Sequence, residues 1–331
     1  MCALLGVLFP GALPVTAATA LRFSLDRPLD GTAAPFVLAA RNDLFRAEGL
    51  AVTIDAAARS QDAITRVTTG AFDIALTDIN ALIRYRDEEG AVPVKAVFVL
   101  YNKAPYALIA RKSRGIETIS EVEGKTIGIA NGDLAAGLWP AVARHNGVAP
   151  GKVKTEKISA AVREPILSAG QVDAITGFSF LSAINLRDRG IPANDLTVLR
   201  FSEFGCEVYG HALIVNPKFA AENPEAVKAF LRATIAGVRL AMKDPARAAD
   251  EVVTQMNGAS RDIELQRLRA SISDNIATDE VKRNGLGGID DNRFATGISQ
   301  IAEDYNFRKR PLPSDIFDGA FLPPVSARKI N

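Results

Sequence analysis

Short β-branched runs alternate with amphipathic stretches through the first two-thirds of the chain, and this alternation limits the fold more than any other feature. Residues 21–26, 51–56, 74–77, 94–101, 106–111, 126–130, 153–158, 174–176, 197–201 and 212–215 read as strands. Between most of them, segments such as 35–48, 61–69, 79–87, 134–146 and 180–189 place apolar residues three and four apart, the spacing of a helix with one buried face. Strands separated by helices pair in parallel, so the pattern predicts an α/β fold of mainly parallel sheets with flanking helices. The segment Thr69-Gly70-Ala71-Phe72-Asp73-Ile74-Ala75 returns as Ala169-Gly170-Gln171-Val172-Asp173-Ala174-Ile175. Each copy follows an amphipathic stretch and precedes a strand, which implies two similar halves. From Pro217 onward the pattern turns helical, over 224–242, 245–256, 263–275 and 292–305, with capping signals at Asp244-Pro245 and Asp290-Asp291.

Length and charge narrow the partners. The chain has 331 residues, 48% of them apolar, with 39 basic against 38 acidic side chains. A balance that even generates no field to gather nucleic acid or anionic membrane, so a small molecule or a protein surface is the expected partner. Residues 1–20 carry no charge, run apolar through Val15 and end in Ala18-Thr19-Ala20. That pattern fits a signal peptide cleaved near Ala20, and with it export to the periplasm. Its removal takes Cys2 away and leaves Cys206 without a disulfide partner.

In an open parallel sheet a ligand sits beyond the carboxyl ends of the strands, where helix N-termini and bare amides converge. The loops at those ends are the candidate site. Gly31, Thr32 and Ala33 follow the first strand and Arg59 and Ser60 the second; Asp78 and Asn80 follow the third. In the second half Asn131, then Gly177 and Phe178, hold the equivalent places. Ser60, Asp78 and Asp133 are also good helix caps, and Arg59 is by default a solvated arginine. Trp139, the single tryptophan, fills core or stacks on a planar ligand. Glu207 and Tyr209 lie near the second passage between halves, and Tyr106 near the first. His211 either reaches the cleft or serves as a hydrogen-bonded structural histidine. None of the usual nucleophile, zinc, phosphate-loop or dinucleotide motifs appears in the sequence, so no catalytic residue, metal site or cofactor is assigned.

The run from Ala34 to Ile54, with Phe45-Arg46-Ala47-Glu48-Gly49-Leu50-Ala51-Val52 at its heart, resembles a signature of periplasmic binding proteins for nitrate, sulfonates, taurine and thiamine-precursor pyrimidines. Gly70–Ala75, Glu121–Gly128 and Asn216–Phe219 resemble that family in type and order. The resemblance covers about 21–305 and implies the two-lobed type II binding-protein fold: 21–102 plus 210–331 as one lobe, 103–209 as the other, and a hinge crossed twice, at 102–105 and 203–209. It implies a monomer that closes around a small polar solute, hands it to an ABC permease in the inner membrane and catalyses nothing. For the solute, Asp78 and Glu207 with Trp139, Tyr106 and Tyr209 suit a planar nitrogen-containing or aromatic molecule, whereas Arg59 with the 31–34 loop suits a sulfonate or nitrate. Two other classes share the resemblance. Fungal pyrimidine synthases are enzymes that rely on a cysteine-rich segment, where this chain has only Cys206. LysR-type effector domains are sensors that follow a DNA-binding helix-turn-helix, where this chain has its apolar leader.

Overall fold

The computed structural model describes residues 18–130 and 132–330. All ten expected strands form, and they divide into two five-stranded sheets. The first contains β1 (Thr19–Leu25), β2 (Leu50–Ala56), β3 (Ile74–Asp78), β4 (Lys95–Val99) and β10 (His211–Val215), in the order β2-β1-β3-β10-β4. The second contains β5 (Tyr106–Arg111), β6 (Thr126–Ala130), β7 (Lys154–Ile158), β8 (Ala174–Phe178) and β9 (Leu196–Arg200), in the order β7-β6-β8-β5-β9. Each sheet is mixed. β1 runs parallel to β2 and β3, and β6 to β7 and β8, while β10 and β5 run antiparallel to both of their neighbours. Those two strands are the first that the chain adds after each passage from one sheet to the other.

Burial follows sheet position. β3 and β10 are interior strands covered on both faces and bury every residue, the polar Thr77, Asp78 and His211 included. β7 is an edge strand and exposes Lys154, Thr155, Glu156 and Lys157, charges that discourage pairing with a further strand.

Around the first sheet lie α1 (Ala34–Arg41), α2 (Leu44–Ala47), α3 (Ser60–Thr68) and α4 (Ile79–Arg86). Around the second lie α5 (Leu134–His145), α6 (Arg163–Ser168) and α7 (Ser179–Asp188). The helical third adds α8 (Pro217–Glu222), α9 (Pro224–Lys243), α10 (Pro245–Val253), α11 (Arg261–Ser271), α12 (Asp279–Asn284) and α13 (Asp291–Tyr305). α9 packs on α1 so closely that a Cβ at Gly237 would lie 2.1 Å from the Pro35 carbonyl oxygen, which restricts that position to glycine. The helical third reaches the second sheet as well: α11 packs on α7, and α13 on α5.

Two local differences from the sequence reading have physical causes. The helix expected over 35–48 is broken, because Asp43 turns left-handed at φ 55° and its amide bonds to the Ala40 carbonyl rather than one turn further back. The helix expected over 263–275 instead ends at Ser271 and continues as a π-helical segment, Ile272–Ile276. β1 also begins two residues before the expected strand, at Thr19, which pairs with Leu50.

Candidate functional site

The carboxyl ends of the parallel strands in both sheets face one seam. From the first sheet, Asp26 and Arg27 follow β1, Ser60 begins α3, Asp78 ends β3, and His211 begins β10 directly opposite Asp78. From the second sheet, Tyr106 begins β5 opposite Phe178, the last residue of β8, and Phe180 lies on the first turn of α7.

Asp26 is the electrostatic centre of this seam. Its carboxylate accepts from the Ser60 hydroxyl at 2.7 Å and from Arg27 Nε at 3.2 Å, and lies 2.9 Å from His211 Nε2. Burial opposes the charge on Asp26, but Arg27 and His211 outweigh it and hold the carboxyl well below the usual range. Burial likewise opposes the charge on Arg27, yet Asp26 and Asp30 keep its pKa above the ordinary arginine value. The guanidinium carbon of Arg27 sits 5.3 Å from the Phe178 ring centroid and 5.9 Å from that of Phe180, within reach of cation–π attraction. Tyr101 completes the wall, 4.9 Å from the His211 ring and 6.1 Å from Phe180, with its hydroxyl pushed up to about 12 by burial.

A second cluster lies beside it. The Tyr106 hydroxyl donates to Asp78 Oδ2 at 2.5 Å, and the Asn80 side-chain amide donates to Asp78 Oδ1, to the Tyr106 oxygen and to the Tyr209 carbonyl at 2.9, 3.0 and 2.6 Å. Burial raises the pKa of Asp78 and, with Asp78 adding to it, that of Tyr106. This cluster ties the two sheets together where the chain passes between them.

In the second half, Asp133 accepts from Ala135 N, from Arg163 Nη2 and from Thr176 Oγ1, each at 2.9 Å. A recess of 410 Å³ opens between α5 and α13, lined by Leu138, His145, Phe204 and Gln300. The seam itself is filled by Arg27, Tyr101, Phe178 and Phe180, so its filling is charged and aromatic rather than purely aliphatic.

Of the residues singled out from sequence, the structure gathers Ser60, Asp78, Asn80, Tyr106, Phe178 and His211 at the seam. Asn131 lies outside the described residues. The amides of the first loop are already engaged: Gly31 N donates to Glu264 Oε2 at 2.6 Å, Thr32 N to Asp30 Oδ1 at 2.8 Å and Ala33 N to the Asp30 carbonyl at 3.0 Å. Arg59 is solvent-exposed and pairs with Asp62. Trp139 is buried in core against Phe201. Gly177 faces its own half, where a Cβ would lie 2.7 Å from Ser182 Oγ. Glu207 is exposed and pairs with Arg293 at 3.3 Å. The Tyr209 hydroxyl donates to Glu280 and accepts from Asp290 N, both at 2.7 Å, while Arg293 covers its ring. Sequence reasoning missed Asp26, Arg27, Phe180 and Arg163. The signal for the first two was present, as an adjacent acid and base directly after an apolar strand.

Comparison with known proteins gives consistent relatives. A family model described as "NMT1/THI5 like" matches residues 31–248. The riboflavin-binding protein RibY of Chloroflexus aurantiacus is 29% identical over 226 residues, which cover 66% of this chain and 61% of that protein. The 4-amino-5-hydroxymethyl-2-methylpyrimidine phosphate synthase THI13 of Saccharomyces cerevisiae is 25% identical over 313 residues, 89% of this chain and 88% of the enzyme. Among solved structures, the periplasmic aliphatic sulphonate-binding protein SsuA of Escherichia coli superposes with a TM-score of 0.70 at 14% identity, over 94% of this chain and 92% of that one. The periplasmic nitrate-binding protein NrtA of Synechocystis PCC 6803 does so at 0.67 and 10% identity, over 92% and 87%. Likeness at these identities establishes the periplasmic-binding-protein fold.

Proposed function

Since the chain belongs to the NMT1/THI5-like family, we propose that it is the extracytoplasmic solute-binding subunit of an ABC importer, and that its solute is planar and nitrogen-containing. In this reading 21–102 with 210–331 and 103–209 are two lobes that turn about the passages at 102–105 and 203–209. The leader is removed near Ala20, and the monomer delivers its cargo to a permease in the inner membrane.

The observation that carries the reading is the seam: a buried carboxylate, Asp26, pairs with Arg27, whose guanidinium lies against two aromatic rings of the other sheet, Phe178 and Phe180. A carboxylate accepts from the amino and ring N–H groups of a nitrogen heterocycle, and the rings stack on its face. A sulfonate or nitrate calls instead for free amides, and those of the 31–33 loop are engaged. The riboflavin and pyrimidine named in the relatives belong to the same chemical class.

A thermal-shift screen tests the assignment, because a solute that binds only the folded state raises the melting temperature. A rise with 4-amino-5-hydroxymethyl-2-methylpyrimidine or riboflavin supports it. A rise only with taurine, alkanesulfonates or nitrate moves the ligand to the anionic class, and no rise with any of them contradicts the ligand assignment.

The synthases among the relatives favour a second reading, an enzyme of pyrimidine formation. Cys206 is buried and its thiol is pushed up to about 12 by that burial, which suits packing rather than nucleophilic chemistry. Mass spectrometry of a turnover mixture separates the two readings, since formation of a phosphorylated pyrimidine would establish the enzyme.

A further inference from the structure

The two contacts of His211 Nε2, one of them to Arg27, are mutually incompatible as hydrogen bonds. His211 Nε2 touches both the Arg27 guanidinium and Asp26 Oδ2. A ring nitrogen carries either a proton or a lone pair. If it donates to Asp26, the Arg27 N–H meets another donor; if it accepts from Arg27, Asp26 Oδ2 faces a lone pair. The other ring nitrogen, Nδ1, is buried with no hydrogen-bond partner among the described residues. The arginine therefore fills the space between Asp26 and the rings of the other half without completing the polar network there.

We propose that the Arg27 guanidinium is a built-in stand-in for the solute, occupying the subsite for a planar group with an amidine-type edge, and that it swings out when the solute enters. This rests on the solute-binding reading and sharpens it. A guanidinium and a protonated aminopyrimidine present the same pattern: two N–H groups side by side on a flat, delocalised cation, matched to a carboxylate and to aromatic faces. Asp26 supplies the carboxylate, positioned by the Ser60 hydroxyl at 2.7 Å, and Phe178 and Phe180 supply the faces. The side chain of Arg27 is 18% exposed and that of Asp26 is 3% exposed, so the arginine has a way out while the carboxylate stays. Arg27 is then a specificity-determining residue. Only a solute that replaces its pairing with Asp26 displaces it, and the affinity for that solute is the intrinsic one multiplied by the fraction of molecules in which Arg27 has left the slot.

The test is chemical rescue of Arg27→Ala with methylguanidinium, read as melting temperature, alongside calorimetric titration with 4-amino-5-hydroxymethyl-2-methylpyrimidine. Methylguanidinium at millimolar concentration raises the melting temperature of Arg27→Ala and leaves wild type unchanged; adding Phe178→Ala abolishes the rise. The pyrimidine binds Arg27→Ala about tenfold or more tighter than wild type. Arg27→Met, which keeps the aliphatic stem, serves if the alanine variant does not fold. Absence of rescue in both variants overturns the proposal, as does pyrimidine binding that weakens in Arg27→Ala, since Arg27 would then be a ligand contact. Rescue with no pyrimidine or riboflavin binding in either protein supports the cation slot and overturns the solute assignment instead.

Discussion

In the first half, Asp73 accepts the Arg22 amide at 2.8 Å, returns its own amide to the Arg22 carbonyl at 3.0 Å and pairs with the Arg22 guanidinium, which also reaches the Gly70 carbonyl. In the second half, Asp173 accepts the Thr126 amide at 2.9 Å, returns its amide to the Thr126 carbonyl at 2.9 Å and pairs with Arg114, which reaches the Gly170 carbonyl. Gly70 and Gly170 take φ of +75° and +71°, a conformation glycine adopts without steric cost. Thus the sequence echo is a repeated floor that clamps one central strand to the residue just before its neighbour. The opposite rims share no such pattern. One carries Asp26, Arg27, Ser60, Asp78 and His211; the other carries Tyr106, Phe178, Phe180 and the Asp133–Arg163 pair. The floor is repeated and the rims are not, so what the two halves share is the set of residues that makes the fold.

The largest expected effect is at the rim of the first half. Asp26→Asn removes the carboxylate that pairs with Arg27, Ser60 and His211, leaves Arg27 the charge of Asp30, and lowers stability by about 3 kcal/mol in urea unfolding at pH 7. The same group sets an acid limb. Because the folded pKa of Asp26 is depressed, its contribution is complete above the unfolded value of about 4 and is lost as pH falls below it. Wild type therefore loses stability on acidification through that range, and Asp26→Asn loses correspondingly less. An equal acid limb in both proteins would remove Asp26 from the centre of the rim.

Next come the floors. Asp73→Ala and Asp173→Ala each strand a strand amide, at about 1–2 kcal/mol apiece. Equal melting losses uphold the equivalence of the two floors, and a loss confined to one breaks it. Tyr106→Phe removes the hydroxyl that donates to Asp78 across the two halves and costs about 1 kcal/mol; no change in melting would show that this contact does not tie the halves together. At the small end, Arg59→Ala shifts the melting temperature by less than about 2 °C and leaves solute affinity unchanged. A tenfold loss of affinity would return Arg59 to the site.

The strands were legible because short β-branched or apolar runs bounded by turn residues recur between the helical patterns; all ten occur, and 106–111 and 126–130 match residue for residue. The break at Asp43 was not legible, since the apolar spacing continues through it and only the left-handed turn of Asp43 ends the helix. At the site, a topological rule found Ser60, Asp78 and Phe178, because strand ends are set by the sheet. The same rule pointed at the 31–33 loop, but Glu264 on the distant α11 takes the Gly31 amide, and pairings across 233 residues leave no trace in local spacing. Trp139 and Tyr209 were ambiguous for a like reason: their surroundings come from Phe201 and from Glu280 with Arg293. Phe180 reads in sequence as an apolar helix residue, and only the closeness of the two sheets turns its ring toward Arg27.

The central claim is that the solute lies between the two rims and is held by both. Hydrogen–deuterium exchange with and without saturating 4-amino-5-hydroxymethyl-2-methylpyrimidine measures this directly. Slowed exchange in 25–33 and 57–62 of the first half together with 176–182 of the second is the predicted result. Slowing confined to one half, or to the recess between α5 and α13, would contradict it.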